Sequence, residues 1–168
     1  MRKEIINWYD AISDHTMFKH WFRNSHLFSR HMADVSNKEL QDRIVKKRSS
    51  YGQIVSYSRF TDGQEEVIDM VLECIKENFK ELEEFDKANG SHVRSISKEY
   101  DHPIGEGFVK DTYWGEPMKM YRIEVVLVKT ENSTVPFYVQ SAYPNFAFDQ
   151  VDDVLDEIEN YRNRPKRY

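Results

Sequence analysis

The sequence predicts an α+β fold, with N-terminal helices followed by an antiparallel sheet and an added C-terminal helix. Three observations carry this. Apolar residues recur with a helical period up to about residue 87, alternate beyond residue 90, and return to the helical period after residue 150. With 168 residues, 39% of them hydrophobic and 14% aromatic, the chain can build its own core, so residues 1–168 are expected to form a single domain.

Taken in order, Ile5, Ile6, Trp8, Tyr9 and Ile12 predict a short amphipathic helix over residues 3–13. The aromatic and basic stretch over residues 15–30 has no clear period. Ser36 followed three residues later by Glu39 matches a capping box and predicts a helix over about 37–47. Residues 54–57 suggest a strand. Asp62 with Glu65 opens the longest helix, 63–87, whose stripe runs through Val67, Ile68, Val71, Leu72, Ile75, Phe79, Leu82 and Phe85. Glutamates cover its other face, and Gly90 lies just past its end. Strands are then expected over 93–100, 107–110, 118–129 and 135–143, separated by Gly, Pro and polar turns. Val151, Val154, Leu155, Ile158 and Tyr161 predict the final helix, which runs into a basic tail.

The formal net charge is −5, but it is uneven: residues 1–60 carry 11 Lys/Arg against 6 Asp/Glu, and residues 61–161 carry 9 against 23. A net acidic chain is a poor non-specific nucleic-acid binder, so any such contact must be local, and the basic N-terminal third is where a patch can form. The longest apolar run, Val125 to Val128, is far short of the roughly 20 residues of a membrane span. Nor does an apolar signal core follow Met1-Arg2-Lys3, so a cytoplasmic location without membrane contact is expected. The single cysteine, Cys74, lies within the helical stripe and reads as packing. There is no Cys pair, HExxH or clustered Asp loop, so no metal and no cofactor are expected. Gly105-Glu106-Gly107 is followed by Phe108-Val109-Lys110, which opens no helix and makes no dinucleotide loop.

Three constellations can carry chemistry. In His26-Leu27-Phe28-Ser29-Arg30-His31, imidazoles suited to proton transfer lie near a guanidinium suited to phosphate. On a helix the two histidines fall about 140° apart, so they do not both face one substrate. Arg43 borders the apolar side of the capped helix, next to Leu40 and Lys47. At the end of a strand, period-2 geometry puts Ser141 and Tyr143 on one face, with Phe137 and Val139 behind them on the same face. Together these suit phosphodiester chemistry on RNA without a metal: a base takes the 2′-hydroxyl proton, and cations and hydroxyls stabilise the phosphorane.

The order of motifs resembles the RNase A-like toxin domain of bacterial contact-dependent growth-inhibition proteins. The resemblance runs through His26 to Met32, Leu40 to Arg43, Ser58-Arg59-Phe60-Thr61-Asp62, His102-Pro103-Ile104-Gly105, the strand Ile123 to Val128, and Ser141-Ala142-Tyr143-Pro144. It covers about residues 26–145, leaving an N-terminal extension over 1–25 and a C-terminal helix and basic tail over 146–168. It implies an RNase A-like curved sheet without disulfides, and a metal-independent endoribonuclease toxin leaving 2′,3′-cyclic phosphate ends. The implied partners are an RNA substrate, tRNA among the candidates, and a cognate immunity protein. Carried residue by residue, it implies His31, Arg43, Ser141 and Tyr143 as the catalytic set, with His26 and Arg30 as substrate-binding residues. Which of the two motif histidines does the chemistry stays open, as does the oligomeric state. Ser141 stands where the family carries Thr, His102 where it has Arg, and Met32 where it has Val. The alternative is a catalytically inactive protein-binding module of the same or another α+β fold, which would follow if His31 and Arg43 lay far from Ser141 and Tyr143.

Overall fold

The computed structural model describes residues 25–130 and 137–165. The helix expected over residues 3–13 and the last residues of the basic tail lie outside them. The described elements are α1 (Leu27–Arg30), α2 (Asn37–Val45), β1 (Ser56–Phe60), α3 (Gln64–Glu77), α4 (Phe79–Lys87), β2 (Val93–Glu99), β3 (Gly105–Val109), β4 (Met118–Met120), β5 (Arg122–Lys129), β6 (Phe137–Asn145) and α5 (Val151–Arg162). The fold is α+β, as expected, but the strands form two three-stranded antiparallel sheets, ordered β1-β3-β4 and β2-β5-β6.

The differences from the expected elements have local causes. The single strand expected over 118–129 divides at Tyr121, with β4 pairing with β3 and β5 with β2 and β6. The corner stays satisfied because the Met120 and Tyr121 carbonyls accept the Ile104 and Tyr100 amides at 2.9 and 2.8 Å. The long helix breaks at Asn78, whose side-chain amide donates to the Cys74 carbonyl at 2.8 Å and to the Ser97 carbonyl of β2 at 3.0 Å. A short amide that bonds backbone in this way competes with the helix ladder and ties the break to the sheet. Gly63, not Asp62, is the N-cap of α3. Ser36 does cap α2, its hydroxyl accepting the Glu39 amide at 3.2 Å. The first strand begins later than expected because it is matched to β3 in a register running from Ser56↔Val109 to Phe60↔Gly105.

The main core lies between α3 and α4 and the β2-β5-β6 sheet, where Val71, Ile75, Ile123, Val125, Leu127, Phe137 and Val139 are fully buried. Each such side chain contributes about 1.5–3 kcal/mol. Cys74 is buried in the same layer; burial, and then the charge of Glu77, pushes its thiol up to about 12, so it packs as an inert apolar group. Leu40 and Ile44 of α2 cover Phe108 of β3, and Val154 and Ile158 of α5 pack with Met120 and Phe146.

The two sheets meet where β6 lies against β1, the Ser58 hydroxyl donating to the Pro144 carbonyl at 2.6 Å. Gly105 of β3 permits this approach, and Gly107 permits the close pairing of β3 with β1. A Cβ on Gly105 would sit 2.2 Å from the Pro144 ring, and one on Gly107 would sit 2.3 Å from the Tyr57 carbonyl oxygen. The Gly-x-Gly pair is thus a packing device within a strand. Gly107→Ala is expected to destabilise by about 2 kcal/mol, read as a lower urea midpoint at unchanged m-value. A wild-type midpoint would show that β1 and β3 move apart freely.

Candidate active site

His31 is placed by the four-residue helix α1. Leu27, fully buried, anchors α1, and the His31 amide closes its last turn on the Leu27 carbonyl at 3.0 Å. The residue is then clipped to β1 twice: its carbonyl accepts the Phe60 amide at 2.7 Å, and its Nδ1 lies 2.8 Å from the Ser58 carbonyl. A carbonyl can only accept, so Nδ1 carries the proton, and the neutral ring keeps its lone pair on Nε2. The imidazole is only 8% exposed and stacks on Tyr57 with ring centres 5.2 Å apart. Burial is the main cause that lowers its pKa to about 4; the hydrogen bond to Ser58 opposes this, and the charges of Arg43, Lys47 and Arg30 add to it.

The cations come from α1, α2 and the turn that follows α2. Arg30 lies on the cleft beside His31. Arg43 donates from Nη1 to the Arg30 carbonyl at 2.9 Å, and its guanidinium lies over the Tyr57 ring at 5.0 Å. Lys47, one turn further on, lies over the same ring at 4.7 Å and donates to the Ser56 carbonyl at 3.0 Å. Desolvation lowers the pKa of this amine.

The hydroxyls come from β6, and here the expected geometry is corrected. In the pairing with β5, Val126 faces Ser141 while Leu127 faces Val139, so Gln140 is an extra residue. This bulge inverts the alternation. Phe137 and Val139 are buried before it, and Ala142 and Pro144 after it. Ser141 and Tyr143 therefore do not share the face of Phe137 and Val139; they are re-aimed to the opposite face, a known use of bulges beside sites. The bulged residue is held in turn, since the His26 amide donates to the Gln140 carbonyl at 2.8 Å.

Behind Tyr143 lies a half-buried ion pair, with Arg122 donating to Glu124 at 3.0 Å and to the Phe146 carbonyl at 2.8 Å. Asn145 donates to the other Glu124 oxygen at 2.8 Å. Burial, and then the Glu124 charge, pushes the Tyr143 hydroxyl up to about 12, so it keeps its proton at neutral pH.

These groups meet in a cleft of about 500 Å³ lined by Arg30, His31, Lys47, Tyr57, Ser58, Ser141, Tyr143 and Asn145, among others. The His31 and Tyr143 ring centres are 5.5 Å apart. Of the residues singled out from sequence, His31, Arg30, Ser141 and Tyr143 come together here. Arg43 stands one layer back, on Tyr57 and the Arg30 carbonyl, and the exposed His26 ring is not among the lining groups. Lys47, Tyr57, Ser58 and Asn145 were not singled out. Lys47 carried one signal, its position four residues after Arg43 on the same face of the helix expected over 37–47. Among the described residues, no group of three or more His, Cys, Asp or Glu is placed to hold a metal ion.

A family model described as the bacterial CdiA-CT RNAse A domain matches residues 25–144. A search of curated proteins gives no match. Among solved structures, a chain from the crystal structure of a CdiA-CT/CdiI complex from Y. kristensenii is similar, with a TM-score of 0.61 and 16% identity. The match covers 72% of this chain and 99% of that one, and at this identity it speaks for the fold.

Proposed function

The chain belongs to the bacterial CdiA-CT RNAse A domain family, a family of ribonuclease toxins, and we propose that it is a metal-independent endoribonuclease acting by 2′-hydroxyl transphosphorylation. One observation carries this reading: a histidine whose tautomer is fixed by a backbone carbonyl shares a cleft with two cations and two hydroxyls.

In this mechanism Nε2 of His31 takes the proton of the RNA 2′-hydroxyl, and the resulting oxygen attacks the adjacent phosphorus. Arg30 and Lys47 hold the phosphate and stabilise the charge that builds on its oxygens, with the Ser141 hydroxyl as a further donor. The P–O5′ bond then breaks, and the leaving oxygen takes a proton from Tyr143, which carries one at neutral pH and is a far stronger acid than a departing alcohol. Proton return from the His31 imidazolium restores the neutral phenol. Arg43 adds its field to the cleft and fixes Tyr57 and Arg30, a more indirect role than direct phosphate contact. The products are a 5′-hydroxyl and a 2′,3′-cyclic phosphate.

The fold neighbour is a chain of a complex between a CdiA-CT and a CdiI protein, which supports a cognate immunity protein of that kind as the partner of this chain. No helix among the described residues is long and apolar enough to cross a membrane, and action in the cytoplasm of a target cell is part of the proposal. The same proposal treats residues 26–145 as the catalytic core within a single domain, with tRNA as a candidate substrate.

The test is incubation of total bacterial RNA and purified tRNA with the protein in EDTA. Cleavage with cyclic phosphate ends is expected; cleavage only with a divalent ion, or no cleavage even with cell extract added, would overturn the proposal. Lys47→Met should lower kcat/KM about 30-fold, the worth of one charge-assisted hydrogen bond. A change within threefold would remove Lys47 from the phosphate.

A further inference from the structure

A second cleft lies just past the end of β3. It has a volume of about 380 Å³ and is lined by Lys110, Asp111, Thr112, Tyr113, Trp114 and Tyr161. Tyr113 is 76% exposed and Tyr161 43%. A lone exposed aromatic needs no explanation, but here two exposed tyrosines share one cleft with the half-buried Trp114, and the loop is built to hold them. The Val109 carbonyl accepts both the Thr112 hydroxyl at 2.8 Å and the Trp114 indole at 2.7 Å, and Trp114 packs against Phe108. Asp111 turns the chain with a left-handed φ of 61°. Its carboxylate is the only one among the lining residues, and it is neutralised by Arg162 at 2.8 Å while accepting the Ser49 hydroxyl at 2.8 Å.

This shelf is tied to the catalytic cleft through the backbone. The Lys110 amide donates at 2.8 Å to the carbonyl of Val55, which lines the first cleft. The Lys110 amine reaches the Ile44 and Val45 carbonyls at 3.4 and 3.5 Å, at the same end of α2 from which Lys47 enters the first cleft. Exposed Arg48 precedes Ser49, and exposed Arg164 follows Tyr161 by three residues. A cationic, aromatic track on a chain of net charge −5 is complementary to a polyanion carrying π-faces.

We propose that the Tyr113-Trp114-Tyr161 shelf is a base-stacking subsite for single-stranded RNA, taking nucleotides that flank the phosphate held in the neighbouring cleft. Stacking is tolerant of sequence because every base has a face, and Lys110, which lines the shelf, is bonded through its backbone to Val55 of the catalytic cleft. The inference rests on the ribonuclease reading, but its test reads binding separately from cleavage.

The probes are fluorescein-labelled 2′-O-methyl oligouridylates of about three and about nine nucleotides, which lack the attacking hydroxyl. The full-length protein should bind the longer probe at least about tenfold more tightly. Tyr113→Ala with Tyr161→Ala should lose about tenfold on the longer probe and nothing on the shorter one, whereas Tyr113→Trp with Tyr161→Phe, which keeps both rings, should bind like wild type. Equal loss on both probes would mean general damage and overturn the proposal. Unchanged binding of the longer probe by the alanine variant would also overturn it and leave the shelf to a protein partner. Stacking without any cleavage of unmodified RNA would sink the ribonuclease reading alone; cleavage with no length dependence in binding would sink the subsite alone.

Discussion

His31→Ala should lower RNA cleavage in EDTA by about 10³-fold, while His26→Ala stays within about threefold of wild type. The two histidines differ in every physical respect that matters. The His26 ring is exposed and outside the cleft, and its contribution is made by its backbone, which holds the bulge of β6. The His31 ring is buried between Tyr57 and Tyr143, with Nδ1 committed to Ser58. A general base in that position supplies about 10²–10⁴ in rate, and nothing else lining the cleft has a neutral nitrogen lone pair to replace it. Removing the ring also leaves the Ser58 carbonyl without its donor, which costs about 1–3 kcal/mol, so near-ultraviolet circular dichroism must first show that the variant is folded. A folded His31→Ala protein that cleaves at the wild-type rate would end the proposed mechanism, and loss of activity in His26→Ala would exchange the two assignments.

Much of this site could be read from the sequence because its motifs are short and local. The Ser36 cap, the stripe of α3 and the alternation of β5 each record which residues are buried, and burial is what a hydrophobic pattern encodes. The motif carrying His26 and His31 became α1 and its C-cap, Arg43 fell on α2, Ser58 on β1, and Ser141-Ala142-Tyr143-Pro144 on β6, so Arg30, His31, Ser58, Ser141 and Tyr143 line one cleft while His26 and Arg43 do not. The distance that would have favoured a mere binding module is not found between His31 and Tyr143. What the pattern did not record is register. The bulge at Gln140 left a trace, in that the buried set shifts from Phe137 and Val139 to Ala142 and Pro144, but Ala and Pro are weak markers of a strand face. The change of sheet at Tyr121 and the break at Asn78 depend on partners far away in the chain, the Tyr100 amide and the Ser97 carbonyl. The spacing of Lys47 from Arg43 was visible, but its role was not, for a different reason. An exposed-looking cation at the end of a helix matters here only because Tyr57, ten residues on, offers its ring.

The same burial that shapes the base makes the protein sensitive to acid in a defined window. In the unfolded chain His31 has the ordinary value of 6.5, and in the folded protein it is about 4. A depressed pKa means that the unfolded state binds the proton first, so the associated stability is fully present above pH 6.5 and is lost as the pH falls towards 4. The loss amounts to roughly 3 kcal/mol for this nearly buried ring, read as the difference in unfolding free energy between pH 7 and pH 4. His31→Gln should flatten that slope. The carboxylate of Asp111, which Arg162 holds below its usual range, contributes its own loss only at lower pH. Catalysis should follow the same sign. Because free His31 stays neutral, kcat/KM should hold level from pH 7 to about 5 and fall only near 4. A bound phosphodiester brings a negative charge beside Arg30 and Lys47 and offsets the repulsion they exert on an imidazolium, so the acid limb of kcat should lie at higher pH than that of kcat/KM. Coincident limbs near pH 6.5 would instead mean that the base is exposed in solution, and that the buried ring stacked on Tyr57 is not the group that takes the proton.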